Sequence, residues 1–172
     1  RRSSRSGIET AAPVPVGAIG TWDLPAFRLR GERLSVRAAD DLVGCTVLAA
    51  MLESLVRERA TASVEVIYPR AEEAGLLGSL ALARSGVVSR ANPVLVLETS
   101  RELPCGPLGR GPVLRDGDRM SVFDPGLARW MQATAEALAP GRRGLRVQRG
   151  LMDGGVCEAT PFGAFGYRTA GI

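Results

Sequence analysis

Histidine and lysine are both missing from this chain of 172 residues, and each absence narrows the field. Without histidine the chain cannot build a Ser-His-Asp triad, and no Gly-x-Ser-x-Gly elbow is present either. Without lysine, all 22 basic residues are arginine, and the formal net charge is +4. These arginines are scattered, and aromatics make up only 5% of the chain, so no basic face with interleaved stacking residues is expected. Nucleic acid is therefore not an expected partner, and the Arg-rich, Lys-free composition looks like codon bias. "GRGPV" lacks the Gly-Lys-[Ser/Thr] ending of a phosphate loop. Cys45, Cys105 and Cys157 form no CxxC pair and leave one over, which excludes a structural zinc site and points to reduced thiols. No apolar run approaches the roughly 20 residues of a membrane helix. The opening "RRSSRSG" lacks the apolar stretch of a secretory signal. The expectation is a soluble, cytoplasmic protein without a membrane partner.

What is present is enough to bury a core: 45% of residues are hydrophobic, and the length suits one domain or slightly more. "RLSVRAA" (33–39) reads as a strand that ends at Asp40-Asp41. "LVGCTVLAAMLESLVRER" (42–59) has helical apolar spacing. "SVEVIY" within 62–68 alternates and is β-branched, and so predicts a strand. A helix over 75–86 and a strand over 93–98, apolar on both faces like a central parallel strand, come next. A Gly/Pro-rich stretch of turns, with room for one short strand, leads to Asp124-Pro125, a helix start with Asp as N-cap and Pro at the first helical position. A short strand over 144–150 and a last helix and strand complete the chain. This alternation predicts an α/β fold with a mostly parallel sheet flanked by helices.

Acidic residues gather at the strand ends. Asp40-Asp41 follows 33–39, Glu72-Glu73 follows 62–68, and Glu98 closes 93–98. Each has a bland explanation: an Asp-Asp pair can cap a helix, and Glu-Glu beside Arg70 can be a solvated turn. If the strands are parallel neighbours, however, all three stations share the sheet edge where open α/β folds bind ligands. Like charges brought together raise one another's pKa, and divalent cations offset that cost. Two metals roughly 3.5–4 Å apart, bridged by a carboxylate, form a hydrolytic arrangement.

"AADDLVGCTVLAAMLESL", "RAEEAGLLGS", "VLVLETS", "LGRGPVLRDGDR" and "LMDGGVCEATPFGAFGYRTAGI" resemble, in order and spacing, blocks of the co-catalytic metallo-aminopeptidases of the glutamyl aminopeptidase and tetrahedral aminopeptidase type. The resemblance covers about 33–172. It implies a zinc-exopeptidase-like fold, with residues 1–32 the tail of a smaller inserted β domain or an irregular segment, and 33–172 the C-terminal part of the catalytic domain. It implies that Asp40 bridges two divalent metal ions (zinc or cobalt), that Glu73 and Glu98 are further metal ligands, and that Glu72 is the general base toward water. Asp153 takes a substrate-binding place, although "LMDGG" stands where the family has Gly-Thr-Asp. Glu98 stands where the family has Asp. A peptide substrate and a homo-oligomer are also implied.

The family draws further ligands from histidines, one upstream in a His-x-Asp segment and one near the domain's C-terminal end. This chain supplies neither. Two readings follow. In one, the chain is part of a metal-dependent aminopeptidase that removes N-terminal residues from peptides. In the other, it is a non-catalytic peptidase-like subunit, structural or peptide-binding, that has lost the metal site.

Overall fold

The computed structural model describes residues 11–141 and 146–172. The chain divides into two compact units after Arg37. In the first, Phe27–Arg30 (β1) and Arg33–Val36 (β2) form an antiparallel hairpin, with Phe27 opposite Val36 and Arg30 opposite Arg33. This corrects the expectation that 33–39 joins the parallel sheet. A two-residue turn at Gly31-Glu32 brings the partner strand close at little entropic cost, whereas a parallel partner requires a long crossover.

The second unit contains α1 (Ala39–Arg57), α2 (Leu77–Ser85), β3 (Val94–Val96), β4 (Val113–Gly117) and α3 (Pro125–Leu138) with a trailing 3-10 turn. It ends with β5 (Gln148–Leu151), α4 (Ala159–Ala164) and β6 (Thr169–Gly171). The sheet order is β3-β6-β4-β5. β3 runs parallel to β6 and β4 parallel to β5, while β4 and β6 meet antiparallel at Arg115 and Gly171. The class is α/β with a mostly parallel sheet, as the alternation predicts. β4 is the short strand concealed in the Gly/Pro-rich stretch. The strand expected over 144–150 is found at Gln148–Leu151, and residues 144 and 145 lie outside the described residues.

The run 62–68 is a second correction, because it forms no strand. Its β-branched residues suit a pleated surface, but a strand exists only with a ladder partner, and no described strand pairs with it. Ile67 still packs against Ala83, Val88, Phe162 and Tyr167, where α2 meets α4. Three parallel strands carrying the three acidic stations are therefore not what holds them together.

The sheet separates two packed layers. Leu114 of β4 and Ala170 of β6 bury Leu127 and Met131 of α3. Val96 of β3 packs with Phe123, Cys157 and Ala159 beside α4. Helix α3 starts as its sequence requires: the Asp124 carboxylate accepts from the Leu127 amide at 2.6 Å, and Pro125 occupies the first turn. Helix α1 is rich in apolar residues, yet only Gly44 is buried, and Leu42, Val47, Met51 and Val56 stay exposed.

Asp118 ties the end of β4 to the approach of α4. It is 4% exposed. Its carboxylate accepts from the amides of Met120 (2.8 Å), Ser121 (2.9 Å) and Cys157 (3.1 Å) and from the Thr160 hydroxyl (2.5 Å). Burial pushes this carboxyl upward, but the Thr160 hydroxyl and the three amides outweigh it and hold it below the ordinary range. A depressed folded-state pKa contributes stability above the unfolded value, and that stability is lost as pH falls through the folded one. Asp118→Asn is expected to cost roughly 2–3 kcal/mol in urea unfolding at pH 7, with a smaller difference from the parent below pH 4. An equal urea midpoint at pH 7 would show that the network carries no stability.

Candidate metal centre

Asp40 and Asp41 lie in the first turn of α1, where the backbone departs from helical geometry (φ −86°, ψ 110° and φ −117°, ψ 45°) and the peptide between them is cis. The preceding Ala38 is left-handed. Asp41 turns its carboxylate back to accept from the Gly44 amide at 3.1 Å. This gives the Asp-Asp-x-x-Gly spacing a steric reason. A Cβ at position 44 would lie 2.3 Å from Asp41 Oδ2.

Glu72 and Glu73 occupy the turn before α2. The Glu72 carbonyl accepts from the amides of Gly75 (2.9 Å) and Leu76 (2.8 Å). The glycine that closes Glu-Glu-x-Gly-x-x-Gly is again set by space, since a Cβ at Gly78 would meet the Arg70 carbonyl oxygen at 2.3 Å. Glu98 lies two residues beyond β3 and continues along β6, its amide donating to the Ile172 carbonyl at 3.1 Å.

Carboxylate oxygens of Asp40, Asp41 and Glu98 come within 4.8 Å of one another. Two of the residues expected to hold metal, Asp40 and Glu98, are thus brought together. The third place is taken by Asp41, and Glu73 stands outside the triad. Glu73 is exposed and, with Glu72, Leu76, Leu80, Met120 and Pro161, lines a cavity of about 510 Å³. A second cavity of about 310 Å³ is bounded by Asp41, Val47, Leu97, Glu98, Leu108 and Arg115. Asp153 lies in an exposed turn after β5.

Burial is the first cause of the upward shift at Glu98, whose carboxyl is pushed to about 8; Glu158 and Asp40 add repulsion, and Arg115 opposes it. Burial also raises Asp41, partly offset by the Gly44 amide and reinforced by Asp40. Glu72 is raised by burial and then by Glu73, Glu158, Asp40 and Asp41. Glu158 is raised by burial, with Asp41 and Asp40 adding to it. Glu158 and Arg115 are the neighbours that sequence reasoning misses: neither stands in a spacing pattern, and both arrive through tertiary packing.

This donor set fits a divalent cation that takes oxygen ligands. It is all oxygen, partly buried and mutually repelling. Among the described residues no ion pair closes on Asp40, Asp41 or Glu98.

The sequence matches the model of the M42 glutamyl aminopeptidase family over residues 4–171. Among solved structures, the PhTET1-12s dodecamer is 25% identical over 84% of this chain and 43% of its own, with a TM-score of 0.66. The Pyrococcus horikoshii TET1 peptidase, which can assemble into a tetrahedron or a large octahedral shell, is 26% identical over 84% of this chain and 42% of its own, with a TM-score of 0.63. A TET aminopeptidase from the marine sediment archaeon Thaumarchaeota archaeon SCGC AB-539-E09 shares the fold at 22% identity, 78% and 39% coverage and a TM-score of 0.62. The chain spans about two fifths of the length of these structures.

A raised folded-state carboxyl binds its proton more tightly in the native state than in the unfolded one, so stability declines as pH rises between the two values. With divalent cations chelated, the melting temperature is expected to fall between about pH 5 and pH 8, and Glu98→Gln is expected to flatten that decline. A parent profile that stays level across this window would contradict the buried, crowded position of Glu98.

Proposed function

The chain belongs to the M42 glutamyl aminopeptidase family, and on that footing we propose that it takes part in removing N-terminal residues from peptides, with divalent cations held by its carboxylates. The observation that carries this reading is the convergence of Asp40, Asp41 and Glu98. In it, these three residues would hold a cation, zinc or cobalt, and Glu73 would serve a second one. When bound, such a cation polarises a carbonyl oxygen and makes water a stronger acid.

The protein's own part is proton handling and placement. Glu72 has its carboxyl raised by burial and by its acidic neighbours, which moves it toward the range where a general base works best. It takes a proton from the attacking water as the new carbon–oxygen bond forms, and it delivers that proton to the amine nitrogen as the peptide carbon–nitrogen bond breaks. Leu76, Leu80, Met120 and Pro161 line the same hollow as Glu72 and offer apolar surface to a substrate side chain. Asp153 belongs to the substrate side of this reading by resemblance alone. No described helix is long and apolar enough to cross a membrane. Assembly into a homo-oligomer and a cytoplasmic location complete the proposal.

A non-catalytic, peptide-binding role is favoured by one observation, the absence of histidine from the chain. One variant separates the two. Glu72→Gln is expected to lower hydrolysis of an aminoacyl p-nitroanilide at least about 100-fold while leaving Mn²⁺ binding, followed by calorimetry, intact. A variant as fast as the parent would remove Glu72 from the chemistry.

A further inference from the structure

Arg115 is 5% exposed, and among the described residues it forms no ion pair. Alternation along β4 sends Leu114 toward α3 and Arg115 to the opposite face of the sheet, beside Phe123 and Gly171. Space for its aliphatic stem is supplied by Gly171, the residue opposite it on β6. A Cβ at Gly171 would lie 3.1 Å from Arg115 Cδ and 3.2 Å from the Phe123 ring. A buried guanidinium without a carboxylate partner is costly, and an apolar side chain of similar volume would fill this space at lower cost.

One nitrogen of the guanidinium reaches a short piece of backbone. Nη2 donates to the carbonyl of Glu98 at 2.5 Å and to that of Thr99 at 3.3 Å, while Nε is buried without a partner. The Glu98 amide is already held by Ile172 at 3.1 Å. Glu98 is therefore gripped at both its N–H and its C=O, and its side chain leaves that fixed point toward Asp40 and Asp41.

We propose that Arg115 is the positioning residue of the carboxylate centre: its hold on the Glu98 and Thr99 carbonyls fixes the Glu98 carboxylate against Asp40 and Asp41, and so sets how tightly the centre binds a divalent cation. The proposal rests on the cation-centre reading above. The alternative is that Arg115 acts on the centre through its positive charge alone. Charge alone would repel a cation, so the two roles predict opposite changes when the side chain is removed.

The test is Mn²⁺ affinity, measured by titration calorimetry in the parent, in Arg115→Met and in Arg115→Lys, each with Glu98 intact and with Glu98→Gln. Groups that orient a metal ligand typically change affinity 10–100-fold when removed. Arg115→Met is expected to weaken Mn²⁺ binding by about that factor. Arg115→Lys, which keeps the charge but whose shorter side chain ends short of the position Nη2 holds, is expected to weaken it as well, and it supplies the result if the methionine variant fails to fold. In the Glu98→Gln background both substitutions should change affinity less than about twofold, because the group they position is gone. Equal losses in both backgrounds, unchanged affinity or tighter binding would each overturn the positioning role while leaving the cation centre in place. No Mn²⁺ binding by the parent would overturn both.

Discussion

Repulsion among carboxylates is the constraint around which this site is organised. Asp40, Asp41 and Glu98 place oxygens within 4.8 Å of one another, and Glu72 and Glu158 feel the same charges. Three devices contain the repulsion, and among the described residues none of them is an ion pair. The Gly44 amide neutralises part of Asp41, Arg115 supplies positive charge from below, and Glu98 holds its proton to about pH 8. A divalent cation would replace that proton, which couples cation binding to pH. In the proposed reading, the crowding that costs stability is what a bound cation would offset.

Much of the backbone around the centre is explained by this arrangement. Gly44 and Gly78 leave room where a side chain would strike Asp41 or the Arg70 carbonyl. Asp118 fixes the approach to α4, and thereby the place of Glu158, through two amides of the loop after β4, the Cys157 amide and the Thr160 hydroxyl in α4. Glu98 is set by β6 on one side and β4 on the other. The acidic residues come from four stretches far apart in sequence, and what joins them is this scaffold of side-chain and backbone hydrogen bonds.

Local signals were readable in the sequence, and non-local ones were not. The three longer helices follow from apolar spacing and from the Asp124-Pro125 start, because capping and periodicity are properties of neighbouring residues. β3 was legible from its doubly apolar run. The partner of 33–36 and the unladdered state of 62–68 were not, since a strand's pairing depends on what else reaches it. In the site, the acidic pairs ahead of motif glycines marked Asp40 and Glu72, and the end of an apolar run marked Glu98. That Asp41 rather than Glu73 would join Asp40 and Glu98 depends on the non-helical first turn of α1, which residue types do not announce. Arg115 and Glu158 carry no pattern at all: one sits in a turn-rich stretch and the other beside an unremarkable cysteine.

The most direct measurement is the titration of the Glu98 side-chain carboxyl, followed by carbon-13 NMR in chelator and again with Zn²⁺. The account predicts a midpoint raised to about 8 in chelator and a marked downward shift when Zn²⁺ is present. A midpoint at the ordinary glutamate value of 4.5, indifferent to Zn²⁺, would contradict it.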